Sequence, residues 1–581
     1  MAFRPVVRHL LLLVAYLAAG IAVTWPRASC LISGKLPATR DTEQYVWGLW
    51  WVAHQTTHLG NPFFTRYMAA PVGVQLGFHT LMPLPGLLMT PVTLVFGPSA
   101  SLNLLAIVTP GLLCYAMYRA ARLWLDSEIA AIAAGAFFGL ATMLAFQDWS
   151  HINIAIGTLA LPVTLEAAIR LRRRTRIRYG VVLGLVLGAS FLVNQESTVM
   201  AAILAAGALL PWLVRGPGSV AARLGPLALA ALLAAVVASP QLIAMAQQAA
   251  AGGSSADPAQ LIRTYGVFGA GLTTLFAPSP RVGAFGLHGL ASLYSYREPD
   301  EGVPTFGLLL SLLALGGLAA RWRRRSAWAL AVLWLGGAAL ALGPALVIGT
   351  RVYVPLAQTW DGLRVSLLMP YTWLVRIPGL SALREADRLA ILGLVGAALL
   401  AGSAVDWLRR HARPAIIAVA VLGLLEAGWS GNKDIGTMPT AMPAVDRPIA
   451  ADHSGSIVLD VPFGLRGGIG LYGSPISRQA LVLATADGHP RSVSYTSWVP
   501  VPTKAGIAKH PFYRWLVAVQ HGRAVPVAAL AATRRDARGM NIGWVLAWPG
   551  TTGHVVSYLT ENGFVFDYRA DRVSVYRPGG K

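Results

Sequence analysis

Apolar runs near membrane-spanning length recur along the first 430 residues, separated mostly by short polar loops. That pattern predicts a polytopic helical membrane protein. The predicted spans are 10–26, 101–119, 128–145, 152–170, 179–195, 198–214, 224–246, 303–320, 327–349, 389–407 and 414–430, about eleven helices. After residue 430 the pattern changes. "SIVLDVPFG" and "IGWVLAWPG" read as strands, "GHVVSYLTENGF" as a short helix, and "FVFDYRADRVSVYRP" as a hairpin turning at Ala570–Asp571. The expected organisation is a transmembrane domain over 1–430, with a first outer loop at 27–99, followed by a small extracytoplasmic α/β domain over 431–581.

The arginines orient this arrangement. Arg119 and Arg122, the run from Arg170 to Arg178, Arg215 and Arg223, "RWRRR" at 321–325, and Arg409, Arg410 and Arg413 fall in alternate loops, which the positive-inside rule makes cytoplasmic. "QDWSH" and "NQEST" carry no Lys or Arg and are expected outside. The stretch "LMPLPGLLMTPVTLVF", residues 81–96, is short and carries Pro83, Pro85 and Pro91. Counted as a span it would reverse the alternation, so it is assigned to a helix or hairpin lying on the outer surface. The N-terminus is then cytoplasmic and the terminal domain external, in a multi-pass plasma-membrane protein.

Composition narrows the classes. Of 581 residues 55% are hydrophobic and 12% charged. The formal charge of +22 lies in loop arginines between apolar runs rather than on one continuous face, so nucleic acid is not an expected partner and membrane lipid is. Cys30 and Cys114 are far apart, which gives neither a disulfide framework nor a CxxC site.

Acids at outer helix ends are the informative polar residues. Asp41 opens "DTEQYVWGLWW", where D-x-x-Q has the form of a capping box, and Tyr45, Trp47, Trp50 and Trp51 read as an interfacial aromatic belt holding the helix flat on the membrane. Asp148 and Glu196 sit in the next two outer turns, each also readable as a solvated turn or helix start. Asp148, His151 and Glu196, with His54 and His58 nearby in topology, form a candidate carboxylate–histidine site for a divalent ion such as Mg2+, Mn2+ or Ca2+.

The order of these parts resembles the GT-C superfamily of integral-membrane glycosyltransferases, in its bacterial polyprenyl-phosphate-sugar-dependent type. A first span leads to a long outer loop with an acid before an aromatic helix, and a second surface helix leads into "FGPSASLNLLAIVTPGLLCYAMYRAARL". "QDWSHINIA" is similar to the second acidic outer loop of that superfamily, and "LREADRLAILGLVGAALLAG" to a late arginine-bearing span. The sequence has D-x-E at Asp41 and Glu43 where a D-x-D or E-x-D is usual.

The resemblance implies inverting transfer of a sugar from a lipid-linked donor to a cell-envelope glycan or glycolipid on the outer face. Asp41 would be the catalytic base, with Glu43 as its helper. Arg384 and Arg388, with Arg376 behind them, would bind the donor phosphate, unless they only snorkel to headgroups. Gln260, Arg263 and Tyr265 would shape the acceptor side. Tyr495, Trp498 and Trp515 are open to glycan contact or to ordinary packing. Two other classes remain: a transporter or flippase of lipid-linked oligosaccharide, and a catalytically silent glycan-binding scaffold.

Overall fold

The computed structural model describes residues 3–25, 27–39, 41–253, 268–276, 305–349, 351–360, 362–377, 379–380, 383–428, 436–468 and 470–579. Two compact units emerge, and they do not follow chain order. The first comprises Met1–Thr39, Asn103–Ala238 and Pro258–Met438, and the second Arg40–Leu102, Ser239–Asp257 and Pro439–Lys581. Most of the long loop expected after the first span therefore belongs with the terminal α/β region.

The first unit is helical. Among the described residues of the whole chain, five helices are long and apolar enough to cross a membrane, or seven if each of two bent pairs counts as one span. Shorter apolar helices, Ile177–Phe191, Leu308–Ala320, Arg325–Ala341 and Pro414–Gly423, fall in the remaining predicted spans without filling them, and Leu346–Ile348 in the predicted 327–349 span is a strand. At the centre of this unit lies the Ala390–His411 helix, every residue of which from Ala390 to Asp406 is buried. Its sequence "AILGLVGAALLAGSAV" shows why. A Cβ on Gly393 would come within 2.6 Å of the Trp334 carbonyl oxygen, on Gly396 within 2.4 Å of that of Leu330, and on Gly402 within 2.8 Å of that of Ala130. Small residues let the neighbouring backbones approach, and van der Waals packing then replaces a hydrophobic driving force that lipid cannot supply.

The second unit is built on a four-stranded mixed sheet, in the spatial order Phe564–Ala570, Val573–Pro578, Ile542–Ala547 and Ile457–Val461. Ile457–Val461 runs parallel to Ile542–Ala547, and the last two strands form the expected hairpin. Its turn falls at Asp571 and Arg572, both at positive φ, one residue beyond the expected position. The period-2 pattern serves two cores. Leu459, Val461, Val545 and Ala547 face Phe512 and Tyr558, while Val458, Trp544, Leu546 and Val575 face Val445 and Ile449. "GHVVSYLTENGF" forms the helix Gly553–Glu561.

A buried charge cluster ties this domain together. Arg491 is fully buried and is bonded to Asp487, with Asp446 at 3.4 Å and Asp460 at 3.5 Å. Three carboxylates oppose one guanidinium. Burial, only partly offset by Arg491, pushes Asp446 up to about 7.

The loop residues 40–102 complete the second unit. The amides of Ala69 and Ala70 donate to the carbonyls of Val493 and Arg491, both at 3.0 Å. The helix Thr42–Thr57 packs on Pro83–Phe96, where Gly86 lies so close to Val52 that an added Cβ would sit 2.7 Å from the valine Cβ. It also packs on Ala480–Asp487. Here the expectation of a flat interfacial helix is overturned. Tyr45, Trp47 and Trp51 are buried, and Trp47 and Trp51 share a core with Leu481, Ala484 and Tyr495. The aromatics are a packing face because the terminal domain covers them. Of the expected helix or hairpin, Pro83–Phe96 is a helix, and its Leu87, Leu88, Leu94, Val95 and Phe96 are exposed.

Candidate active site

Asp41 occupies the N-cap position of Thr42–Thr57, as the D-x-x-Q pattern suggests, but its side chain makes no capping hydrogen bond. Gln44 does not complete a capping box; its Oε1 accepts from Thr80 Oγ1 at 3.3 Å. Asp41 Oδ1 instead accepts from the hydroxyl of Tyr495. Burial, and then the Asp41 charge, push the Tyr495 phenol well above its ordinary range, so it remains the donor.

A short parallel ladder aims Tyr495. The strands Gly464–Arg466 and Ser494–Tyr495 pair so that Arg466 stands opposite Tyr495, and the guanidinium carbon lies 4.0 Å from the phenol ring centroid. Arg466 Nη1 also reaches Glu43 Oε1 at 3.4 Å. Glu43 is 1% exposed and its Oε2 has no hydrogen-bond partner among the described residues. Burial raises its carboxyl well above the usual range; Arg466 opposes that shift and Asp41 adds to it. Glu43 is thus placed as a buried partner of Arg466, one turn fragment away from the ionisable Asp41.

His79 completes the cluster. Its Nδ1 accepts from the Ser497 amide at 3.1 Å, and Ser497 Oγ accepts from the Thr80 amide at 3.2 Å. Burial lowers His79 to about 4, with Asp41 pulling in the opposite direction, so the imidazole is neutral. His79, Thr80, Arg466 and Ser497 were not among the sequence candidates. The isolated histidine in "GFHTLMP" was the available signal.

In the first unit, Arg384 precedes and Arg388 lies within the 3-10 turn Ala386–Leu389 at the head of the central helix. They are not snorkelling side chains. Arg384 is bonded to Glu385, and Arg388 Nη1 lies 2.7 Å from Glu196 Oε2 and 3.8 Å from Glu385 Oε2. Their side chains are only 15% and 10% exposed. Arg376 lies apart from this group, donating to Gln358 at 3.1 Å and stacking on Trp373 and Trp360. Gln260, Arg263 and Tyr265 lie outside the described residues.

Asp148, His151 and Glu196 do not form the expected metal set. Asp148 is buried beside Arg27, whose guanidinium covers Trp149 at 4.5 Å, while Glu196 is held by Arg388. His151 Nδ1 lies 3.1 Å from Gln147 Oε1. Glu196 is paired with a guanidinium, both Asp148 carboxylate oxygens are buried without a hydrogen-bond partner among the described residues, and among those residues no three His, Cys, Asp or Glu side chains are grouped to hold an ion. The donor set does not suit a divalent metal, which takes several convergent oxygens.

No protein-family model and no curated protein matches the sequence. Solved structures do. A cryo-EM structure of the mycobacterial arabinofuranosyltransferase AftD, in a mutant form, aligns with TM-score 0.57 and 14% identity over 99% of this chain. A second class of the same mutant aligns with TM-score 0.52 and 17% identity over 98% of it. This chain has a GT-C-like fold. It spans 41% of the length of the AftD chain in both alignments.

Proposed function

We propose that the protein is an inverting glycosyltransferase that moves a sugar from a polyprenyl-phosphate donor to a cell-envelope glycan or glycolipid on the outer face of the membrane. The observation that carries this reading is Asp41, a carboxylate at a helix N-terminus that leaves the cap unmade and is oriented by a phenol from the terminal domain. A structural cap has no need of that arrangement. A general base does, because it must be ionised and held within reach of one hydroxyl.

In this reading the acceptor hydroxyl loses its proton to Asp41 as its oxygen attacks the anomeric carbon. The bond from that carbon to the phosphate oxygen breaks, and polyprenyl phosphate leaves with the electron pair. Tyr495 fixes the direction of the Asp41 lone pairs. Glu43 supports the site by holding Arg466 against Tyr495 rather than by steering an ion. Arg384 and Arg388 bind the donor phosphate in exchange for part of their pairing with Glu385 and Glu196, while Arg376, engaged with Gln358, Trp360 and Trp373, is left out of the phosphate contact. Such charge-assisted contacts are the strong ones. No step runs through a metal.

The same reading keeps the eleven-span topology, with the shorter apolar helices completing their crossings through flanking turns, and places Pro83–Phe96 on the outer surface by its exposed apolar face. The test is turnover of purified protein in nanodiscs with a panel of polyprenyl-phosphate sugars. Arabinofuranose is included because the solved neighbours carry that name. Sugar-dependent release of polyprenyl phosphate in the parent and its loss in Asp41→Asn would support the reading. Glycan binding without release from any donor would favour the scaffold.

A further inference from the structure

A cavity of about 680 Å3 opens among the helices Pro98–Ala121, Ala160–Arg173 and Ile177–Phe191, within the first unit. Its lining is divided along the helix axes. Leu112, Val163 and Val182 line one end, and Arg119, Arg170 and Arg178 the other. Leu112 precedes Arg119, and Val163 precedes Arg170, by seven residues, which is two helical turns or about 10 Å. The charged end and the apolar end are therefore separated by about the depth from a phospholipid phosphate to the upper acyl chain.

The electrostatics set the sign of the ligand. Glu166, the one acid among the described lining residues, is held by Arg119 at 2.7 Å and Arg170 at 2.9 Å. Arg178 Nη2 donates to the Tyr179 hydroxyl at 2.9 Å. Three guanidiniums against one carboxylate leave two positive charges at the mouth. We propose that this cavity binds one anionic phospholipid, with its headgroup phosphate on Arg119, Arg170 and Arg178 and one acyl chain along Leu112, Val163 and Val182. A free phosphate would satisfy the arginines and leave the apolar half of the cavity unfilled, whereas a zwitterionic lipid would bring its own cation to an already positive mouth. Basic pockets between membrane helices are suited to anionic headgroups. The site is independent of the sugar-transfer chemistry.

Native mass spectrometry of the protein in neutral detergent tests this, with phosphatidylglycerol, phosphatidylcholine of the same acyl chains, or inorganic phosphate added. Phosphatidylglycerol should bind at least about tenfold more tightly than phosphatidylcholine, equivalent to about 1.4 kcal/mol, and inorganic phosphate should not compete at matched concentration. Arg178→Gln leaves both Glu166 pairs in place and should abolish the preference, while Arg178→Lys should retain most of it. Arg122→Gln, whose guanidinium is engaged by the carbonyls of Leu125 and Asp126, controls for loss of loop charge and should change nothing. Equal binding of the two lipids, competition by inorganic phosphate, or a preference undiminished in Arg178→Gln would each overturn the proposal.

Discussion

The hydroxyl of Tyr495 donates a hydrogen bond to Asp41, a residue 454 positions earlier in the chain. The bond makes a sharp test of the proposed base. In Asp41→Asn the amide oxygen still accepts from the phenol and still suits the N-cap position, so thermal stability should stay near the parent. The proton acceptor is lost, and turnover with a polyprenyl-phosphate sugar should fall on the order of a hundredfold or more. An Asn variant with near-parent turnover would remove Asp41 from the mechanism and turn attention to Asp148.

Tyr495→Phe asks a different question. The ring remains beneath Arg466, and only the donor to Asp41 disappears. The expected result is a drop of about tenfold in kcat with the donor KM unchanged, because a misaligned base affects the reacting geometry and not substrate affinity. The cost in stability should be about 1 kcal/mol. A variant that loses stability but keeps kcat would make Tyr495 a packing residue.

That pair also marks what the sequence can and cannot convey. Asp41 is legible as a helix start because an N-cap is a local pattern. Its phenol partner is not, because nothing near residue 41 encodes what will fold over it. The tryptophans of Thr42–Thr57 are ambiguous for the same reason: an aromatic stripe shows that a face is covered, but not whether lipid or the Ala480–Asp487 helix covers it. The buried strands and the hairpin of the terminal domain were readable from their period. The turn was displaced by one residue because Asp571 and Arg572, neither a glycine, take the positive-φ positions. Arg388 stood out by its place before an apolar run, but Glu196 lies 192 residues away and was assigned to a metal instead.

His79 should make the protein acid-sensitive. In an unfolded chain a histidine titrates near 6.5, whereas buried His79 holds out to about 4. Between those values the unfolded state binds more protons. The contribution of neutral His79 is therefore fully present above pH 6.5 and is lost as pH falls toward 4, by up to roughly 3 kcal/mol. His79→Gln keeps an acceptor for the Ser497 amide and removes the titration. Melting temperatures of parent and variant, measured from pH 7.5 to 4.5, should diverge below 6.5, with the variant losing less. Parallel curves would show that His79 does not carry the linkage.

The proposed topology can be read by cysteine labelling in intact cells. Cys30 and Cys114 are both buried, so the background should be low. Leu59 and Val527 are 95% and 85% exposed, and Arg173 is exposed in the arginine-rich loop. Leu59→Cys and Val527→Cys should react with an impermeant maleimide from outside, and Arg173→Cys only after the cells are opened. External labelling of position 173 would invert the arrangement.

Arg388 provides the remaining test, because its pairing with Glu196 competes with the proposed donor phosphate. It is held by Glu196 at 2.7 Å in a site that is mostly shielded from water. If that pairing were its whole role, Arg388→Gln and Glu196→Gln would damage the protein alike, and the double variant would recover much of the stability lost by either one, because no unmatched charge is then left behind. If Arg388 also binds the donor phosphate, the losses separate. Arg388→Gln should raise the donor concentration needed for half-maximal turnover by about tenfold or more, since a charge-assisted contact is worth roughly 1.5–3 kcal/mol. Glu196→Gln should leave that requirement unchanged or lower it, because it frees the guanidinium for phosphate. The double variant should then regain stability without regaining donor affinity. Donor dependence that follows stability through all three variants would reduce Arg388 to a structural ion pair.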